Sequence, residues 1–161
     1  MDAIDRRILQ ELQRDGRLSN SELADRVGLT PSPCLRRVRQ LEESGVIRGY
    51  RALLDGDAVG RGFQAFVTVV MRYEDQDTVA EFERRVAEMP EVVEAHRLFG
   101  DPDFLLRVAV ADLAAYERFY SEALSGLPGV AQVTSHLAMK AVKAYAGLPV
   151  GRDPRPRAPS K

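Results

Sequence analysis

Two prolines separated by a single residue, Pro31 and Pro33, constrain the fold of this chain more than any other feature of its sequence. Proline is tolerated in the first turn of a helix, where its missing amide has no intrahelical partner, and is disfavoured in later turns. A helix in this segment must therefore begin at one of the two prolines. Thr30 as the cap with Pro31 first, and Ser32 as the cap with Pro33 first, are both allowed, and the sequence leaves this choice open.

Two further helices are expected before this point. Residues 2–14 carry apolar side chains at helical spacing and predict a first helix. Ser19 with Glu22 three residues later is a capping box that opens a second helix, and Gly28 stands where a left-handed residue ends it. Because only three residues then precede the proline-defined helix, which runs to about residue 44, the pattern predicts a helix-turn-helix.

A wing and a linker are expected after the third helix. Val46–Ile47 and Ala52–Leu54 are short apolar segments around a polar turn, and they predict a two-stranded wing. Residues 55–62 hold three glycines and two aspartates, a composition typical of a linker. The first domain is therefore expected at residues 1–54.

The pattern beyond the linker predicts alternating strands and helices. The predicted elements are strand 63–73, helix 78–89, strand 91–99, strand 104–111, a helix capped by Asp112 and a strand from Val130. The order βαββαβ is that of ferredoxin-like domains, so the whole chain is expected to be α+β, with a winged helix-turn-helix domain followed by this second domain at residues 63–145. Residues 146–161 are rich in proline, lack apolar periodicity and predict a flexible tail.

The distribution of charge is more informative than its sum of −1. Residues 26–51 hold six arginines against two glutamates, a local net charge of +4, and a basic patch of this kind is typical of nucleic-acid binding. No apolar run is long enough to span a membrane, and the amphipathic N-terminus does not resemble an export signal. A single cysteine suits a reducing cytoplasm, where we expect the protein.

The other reactive side chains do not form a recognisable catalytic or metal site. Cys34 shares a helical face with Val38 and Leu41, so a small buried hydrophobe is favoured over a thiol switch. His96 and His136 lie in separate strands without further ligands at metal-binding spacing, and structural or interfacial roles are favoured for both. No enzymatic nucleophile–base pair and no phosphate-binding loop is present in the sequence, and no cofactor is expected.

Long segments of the chain resemble a known family of regulators. DRRILQELQRDGRLSNSELADRVGLTPSPCLRRVRQLEESGVIRGYRALLD resembles the DNA-binding domain of the Lrp/AsnC family, the leucine-responsive and asparagine-responsive regulators. GDPDFLLRVAVADLAAYERF, followed by LPGV and TS, resembles the effector domain of that family. The resemblance covers about residues 2–145. It implies a transcriptional regulator that pairs into homodimers, assembles further into tetramers or octamers, and responds to a small effector, commonly an amino acid.

The proline-defined helix is the expected recognition helix for double-stranded DNA. Its N-terminal end would bring side chains to base edges in the major groove of a pseudo-palindromic operator. Groove contacts are expected from Arg36 with Ser32, Pro33 and Gln40. Phosphate contacts are expected from Arg37, Arg39, Arg48 and Arg51.

The effector site is expected at the GDPD segment, Gly100, Asp101, Pro102 and Asp103. The residues alone favour an ordinary hairpin turn. The resemblance implies that this loop lies between dimers and lines the effector pocket, which Thr134 and Ser135 of the last strand complete. Proline at position 102 departs from the aromatic or bulky residue that is common there, so the ligand preference of other members does not transfer.

Two other functions remain open on the sequence. Sirohaem decarboxylases resemble the same two-domain architecture, but they need no basic recognition face such as the one expected around Arg36. A DNA-architectural protein, indifferent to small molecules, would show weak sequence preference and a steep dependence on salt.

Overall fold

The computed structural model describes residues 1–72 and 75–151. The chain forms two compact units, one of Met1–Ala52 with the described residues from Lys143 onward, and one of Leu53–Val142. The elements are α1 (Ala3–Arg14), α2 (Asn20–Val27), α3 (Pro31–Glu43), β1 (Phe63–Met71), α4 (Gln76–Glu88), β2 (Val92–Arg97), β3 (Phe104–Val110), α5 (Leu113–Phe119) continued by a π-helical turn (Tyr120–Leu124), and β4 (Val130–Leu137). None of the described helices is long and apolar enough to cross a membrane.

The three helices of the first unit begin and end where the local signals predicted. Ser19 and Glu22 form the expected capping box, and Gly28 ends α2 in the left-handed conformation with φ of 75°. Thr30 is the N-cap of α3 and Pro31 its first residue, which settles the alternative that the sequence left open. The helix-turn-helix is therefore confirmed.

A small apolar core holds the three helices together. Ile8, Leu23, Ala24 and Leu41 are buried in it, and Cys34 is fully inaccessible. Burial raises the pKa of the Cys34 thiol, which disfavours the thiolate. Cys34 therefore behaves as the small hydrophobe that its helical face predicted.

The wing does not form the two strands that the sequence predicted. None of residues 45–62 lies in a strand, and Leu53 and Leu54 are largely exposed in the single chain. Segments of two and three residues offer too few ladder hydrogen bonds and too little apolar cover to hold an isolated hairpin. The segment is instead attached to α3, because the Ile47 amide donates to the Leu41 carbonyl at 2.9 Å.

The second unit is the expected βαββαβ domain. Its antiparallel sheet has the order β2-β3-β1-β4, and the predicted strand at 63–73 ends at Met71, with residue 73 outside the described residues. Along β1 the side chains alternate between buried and more exposed, as a sheet covered on one face requires. Phe82 of α4 and Phe104 of β3 meet at 4.5 Å between ring centroids in this core.

Residues 147–150, here called the C-terminal strap, lie against α1. The side-chain amide of Gln13 donates to the Leu148 carbonyl at 3.0 Å and accepts from the Leu148 amide at 2.6 Å. Gln10 donates to the carbonyl of Val150 at 3.0 Å, and Val150 packs against the core of the first unit. The predicted flexible tail began at residue 146, so the strap is a held part of that segment, while residues 152–161 lie outside the described residues.

Candidate functional site

The exposed side of α3 carries the side chains predicted to contact DNA bases. Ser32, Arg36, Arg39 and Gln40 are spaced by four, three and one residues, which places them on one side of the helix. All four are exposed, and Pro33 beside them is half-buried. Neither Arg36 nor Arg39 forms an ion pair within the described residues. We call Ser32, Arg36, Arg39 and Gln40 the recognition face.

The first turn of α3 offers little main-chain binding capacity. Thr30 makes no side-chain cap, Pro31 and Pro33 have no amide hydrogen, and the Cys34 amide donates to the Thr30 carbonyl at 3.2 Å. Ser32 therefore carries the one amide of this turn that an incoming phosphate could use. Recognition by α3 must depend mainly on side chains.

Arg37 points away from the recognition face. Its guanidinium Nη1 lies 2.6 Å from Oδ2 of Asp2 and 2.7 Å from Oδ1 of Asp5, at the start of α1. The sequence predicted that Arg37 contacts phosphate, but in the structure its guanidinium is already paired with two carboxylates. The sequence does not predict this pairing, because Arg36, Arg37 and Arg39 are chemically equivalent members of one basic run.

The wing arginines, Arg48 and Arg51, are both exposed. Between them the Tyr50 hydroxyl donates to Oε1 of Glu42 on α3 at 3.0 Å. Burial, together with this carboxylate, raises the pKa of Tyr50 to about 12. Tyr50 thus anchors the wing segment to α3, while the arginines on either side remain available to solvent.

In the GDPD segment, Asp103 is a supporting residue. Its Oδ2 accepts from the Met71 amide at 2.6 Å, and its own amide donates to the Val69 carbonyl at 3.0 Å. Its carbonyl also accepts from Leu98 at 2.7 Å, which closes the turn. Asp101 is exposed and leaves its carboxylate at the surface.

Thr134 and Ser135 are neighbours in sequence but lie on opposite faces of the sheet. Ser135 pairs with buried Val67, and its Oγ is hydrogen-bonded to the hydroxyl of Tyr116 on α5. Thr134 pairs with Thr68 on the other face. Since β1 lies between β3 and β4, a single chain does not bring the GDPD segment and both of these residues into one pocket.

The sheet face turned away from α4 and α5 carries a small polar cluster. Oε1 of Glu94 lies 3.0 Å from Nε2 of His96, and its Oε2 lies 3.1 Å from Nε of Arg107. Phe66 pairs with His136 on the same face and is 40% exposed. We call this surface the open sheet face. His96 and His136 are both exposed in the single chain, and the structural or interfacial roles favoured by the sequence stay a prediction.

Three supporting residues escaped the sequence reasoning. Asp2 and Asp5 form a reciprocal capping box at α1, and the pattern of two acidic residues three apart before an apolar run could have revealed it. Tyr116 could be found only from the fold, because its hydroxyl meets a strand nineteen residues away.

Comparisons with known proteins place both units among bacterial regulators. Residues 64–148 match the family profile described as Lrp/AsnC ligand binding domain, and residues 1–48 match that of a winged helix-turn-helix DNA-binding domain. The leucine-responsive regulatory protein of Rhizobium meliloti (strain 1021) is 46% identical over 143 residues, which cover 89% of this chain and 92% of the relative. The protein of that name from Escherichia coli (strain K12) is 43% identical, with 89% and 87% covered.

Two solved structures share the fold along nearly the whole chain. A transcriptional regulator from Neisseria meningitidis in complex with L-Met superimposes with a TM-score of 0.89 at 40% identity, covering 93% of this chain and 97% of that one. An AsnC family transcriptional regulator from Agrobacterium tumefaciens gives a TM-score of 0.88 at 41% identity, with the same shares covered.

Proposed function

Because the chain belongs to the Lrp/AsnC family of transcriptional regulators, we propose that its recognition face reads the major groove of a pseudo-palindromic operator under the control of an amino-acid effector. The protein is a DNA-binding transcriptional regulator with a ligand-binding domain, and it is not an enzyme. The protein acts in the cytoplasm, where the DNA is.

The observation that carries the DNA-binding part is the exposed, unpaired recognition face. Arg36, with Ser32, Pro33 and Gln40, contacts base edges. Arginine is the side chain that most often reads guanine, through two parallel hydrogen bonds to its O6 and N7. Three further exposed arginines contact phosphates; these are Arg39, Arg48 and Arg51.

The effector part is supported by the family and by the chemistry of the GDPD segment. The related regulator from Neisseria meningitidis was solved with L-Met. In this chain the exposed carboxylate of Asp101 suits the ammonium group of an amino acid, and the main-chain amides of Gly100 and Asp101 suit its carboxylate. Asp103 holds the segment in shape, and Thr134 and Ser135 contribute from β4.

Assembly is proposed to occur in two steps. The open sheet face, with half-exposed Phe66, is the surface that a second copy covers to form the homodimer. Because one chain does not bring the GDPD segment, Thr134 and Ser135 into one pocket, the effector pocket is completed between dimers in a tetramer or octamer. Ligand binding at such an interface shifts assembly, and through it the spacing of the DNA-binding units.

Selection of binding sites from random duplexes, followed by titration with and without amino acids, tests this function. Replacing Arg36 with alanine should weaken binding to the selected site more than binding to random DNA. Equal weakening would reduce Arg36 to a phosphate contact.

The effector is tested separately by thermal unfolding with each of the twenty amino acids. A ligand at a hundred times its dissociation constant stabilises the folded protein by about 2.7 kcal/mol. Asp101→Ala should abolish the shift that the best ligand gives. If none of the twenty amino acids shifts the unfolding temperature and none changes DNA binding, the effector-independent architectural protein is favoured.

A further inference from the structure

Besides its apolar core contacts, the recognition helix is held by polar contacts at two points along its length. Near its start, the side-chain amide of Asn20 on α2 donates to the Pro31 carbonyl at 2.8 Å. Six residues later, about 9 Å along the helix axis, Arg37 is paired with Asp2 and Asp5 of α1. One anchor sets the axial position of α3, and two anchors on different neighbours also set its rotation.

The carboxylates that hold Arg37 have all four oxygen atoms occupied. Oδ1 of Asp2 accepts from the amides of Ile4 at 2.8 Å and Asp5 at 2.9 Å, while its Oδ2 takes Arg37. Oδ2 of Asp5 accepts from the Asp2 amide at 2.8 Å, while its Oδ1 takes Arg37. The capping box of α1 and the contact to α3 are thus one network, which orients the carboxylates before Arg37 reaches them.

The electrostatics of this cluster oppose a phosphate contact. Arg37 brings one positive charge and the two aspartates bring two negative charges, so the three side chains together carry a net negative charge, which disfavours a phosphate at Arg37. The amide of Asp5 and the guanidinium of Arg37 lower the pKa of Asp2, and the carboxylates of Asp5 and Asp2 raise that of Arg37. Asp2 and Arg37 therefore each favour the charged form of the other. With its side chain 27% exposed and Asp5 only 16% exposed, the pair is partly shielded from solvent.

We propose that Arg37 is a positioning residue for DNA recognition, which acts through Asp2 and Asp5 to fix the rotation of α3 and so directs Arg36 and Gln40 into the groove without contacting DNA itself. Residues 36 and 37 point about 100° apart around the helix, so a change of roll that frees Arg37 turns Arg36 away from the bases. This inference rests on the proposed DNA-reading role of the recognition face.

The salt dependence of binding separates a positioning residue from a phosphate contact. Each phosphate contact adds about 0.9 to the slope of log K against log salt concentration. We therefore measure the affinity of the full-length protein for its selected site and for random duplex, each at four salt concentrations. Arg37→Gln should lower the ratio of the two affinities about tenfold, near the low end of what one good base contact contributes. The random-DNA affinity and the salt slope should stay at their wild-type values.

The decisive variant is Asp2→Asn with Asp5→Asn, which releases Arg37 while keeping an acceptor at the helix cap. A positioning role predicts the same loss of the affinity ratio as Arg37→Gln, although the protein has become more positive. A phosphate-binding Arg37 predicts the opposite, namely tighter random binding and a steeper slope. Arg37→Lys should restore part of the ratio, and Arg48→Gln is the matched phosphate-contact control, which should lower both affinities and the slope together.

Three outcomes would overturn the inference. The first is a salt slope that falls by about 0.9 in Arg37→Gln. The second is tighter binding of random DNA by the variant that carries Asp2→Asn and Asp5→Asn. The third is an unchanged affinity ratio in variants that melt at a lower temperature. The last would make the cluster a brace of the fold alone, and circular dichroism at the assay temperature verifies that each variant is folded. If Arg36→Ala leaves the ratio unchanged as well, the proposed recognition face fails, whereas a normal Arg36→Ala loss confines the failure to Arg37.

Discussion

Replacing Asp103 with alanine should expose a weak point at the end of β1. The pairing of β1 with β4 shifts register between Val70 and Met71, at the end of the ladder where Met71 lies. Met71 is only 7% exposed, and its amide donates to Oδ2 of Asp103 at 2.6 Å. Without that carboxylate the partly buried amide loses its acceptor, which costs about 2 kcal/mol for a bond to a charged group.

Hydrogen exchange at the Met71 amide measures this loss directly. About 2 kcal/mol corresponds to an exchange rate raised roughly thirtyfold. Asp103→Asn keeps an acceptor and should show a smaller change, while Asp101→Ala, at an exposed position of the same turn, should show none. If exchange at Met71 in Asp103→Ala stays within a factor of about two of wild type, Asp103 does not support the strand end. Asp103 would then be assigned to direct contact with the effector, as the sequence analysis expected.

The remaining predictions concern backbone strain, acid stability and the strap. Gly28→Ala, with φ of 75° in open space, should cost about 1–2 kcal/mol in urea unfolding. Gly129→Ala should cost about 1–3 kcal/mol more, because its methyl group would collide with a threonine and a methionine side chain. Arg84, with the next arginine, lowers the pKa of Glu81 from 4.5 to about 2. The stability that this carboxylate contributes is therefore present above pH 4.5 and lost as the pH falls toward 2, and thermal unfolding of Glu81→Gln should lack that part of the pH dependence. Gln13→Ala removes both of its hydrogen bonds to the strap, and exchange in α1 and the strap should accelerate about tenfold.

The order of helices and strands could be predicted because its signals are local. Gly28 ends a helix by its own freedom at positive φ, and the prolines at 31 and 33 define a helix start by the amides they lack. Alternation along β1 likewise follows from the pleat of a single strand. Each signal acts within a few residues, so these elements can be predicted without knowledge of the tertiary structure.

The wing marks the limit of such reasoning. Val46–Ile47 and Ala52–Leu54 have apolar character, but a strand exists only when a partner pairs with it. No local pattern states whether a partner is present, and the described single chain provides none for these segments.

The sequence by itself determined the helices, the four strands of the sheet and the basic helix that follows a short turn, because capping, proline geometry and periodicity are properties of neighbouring residues. Only the tertiary structure decided what each exposed polar residue does. Arg36 and Arg37 are adjacent and chemically identical, yet one faces solvent and the other binds α1, since the docking of two helices selects one direction around α3. In the same way, Asp103 meets Met71 across thirty-two residues. Contacts of this range arise from packing, which depends on the whole unit rather than on any stretch of its chain.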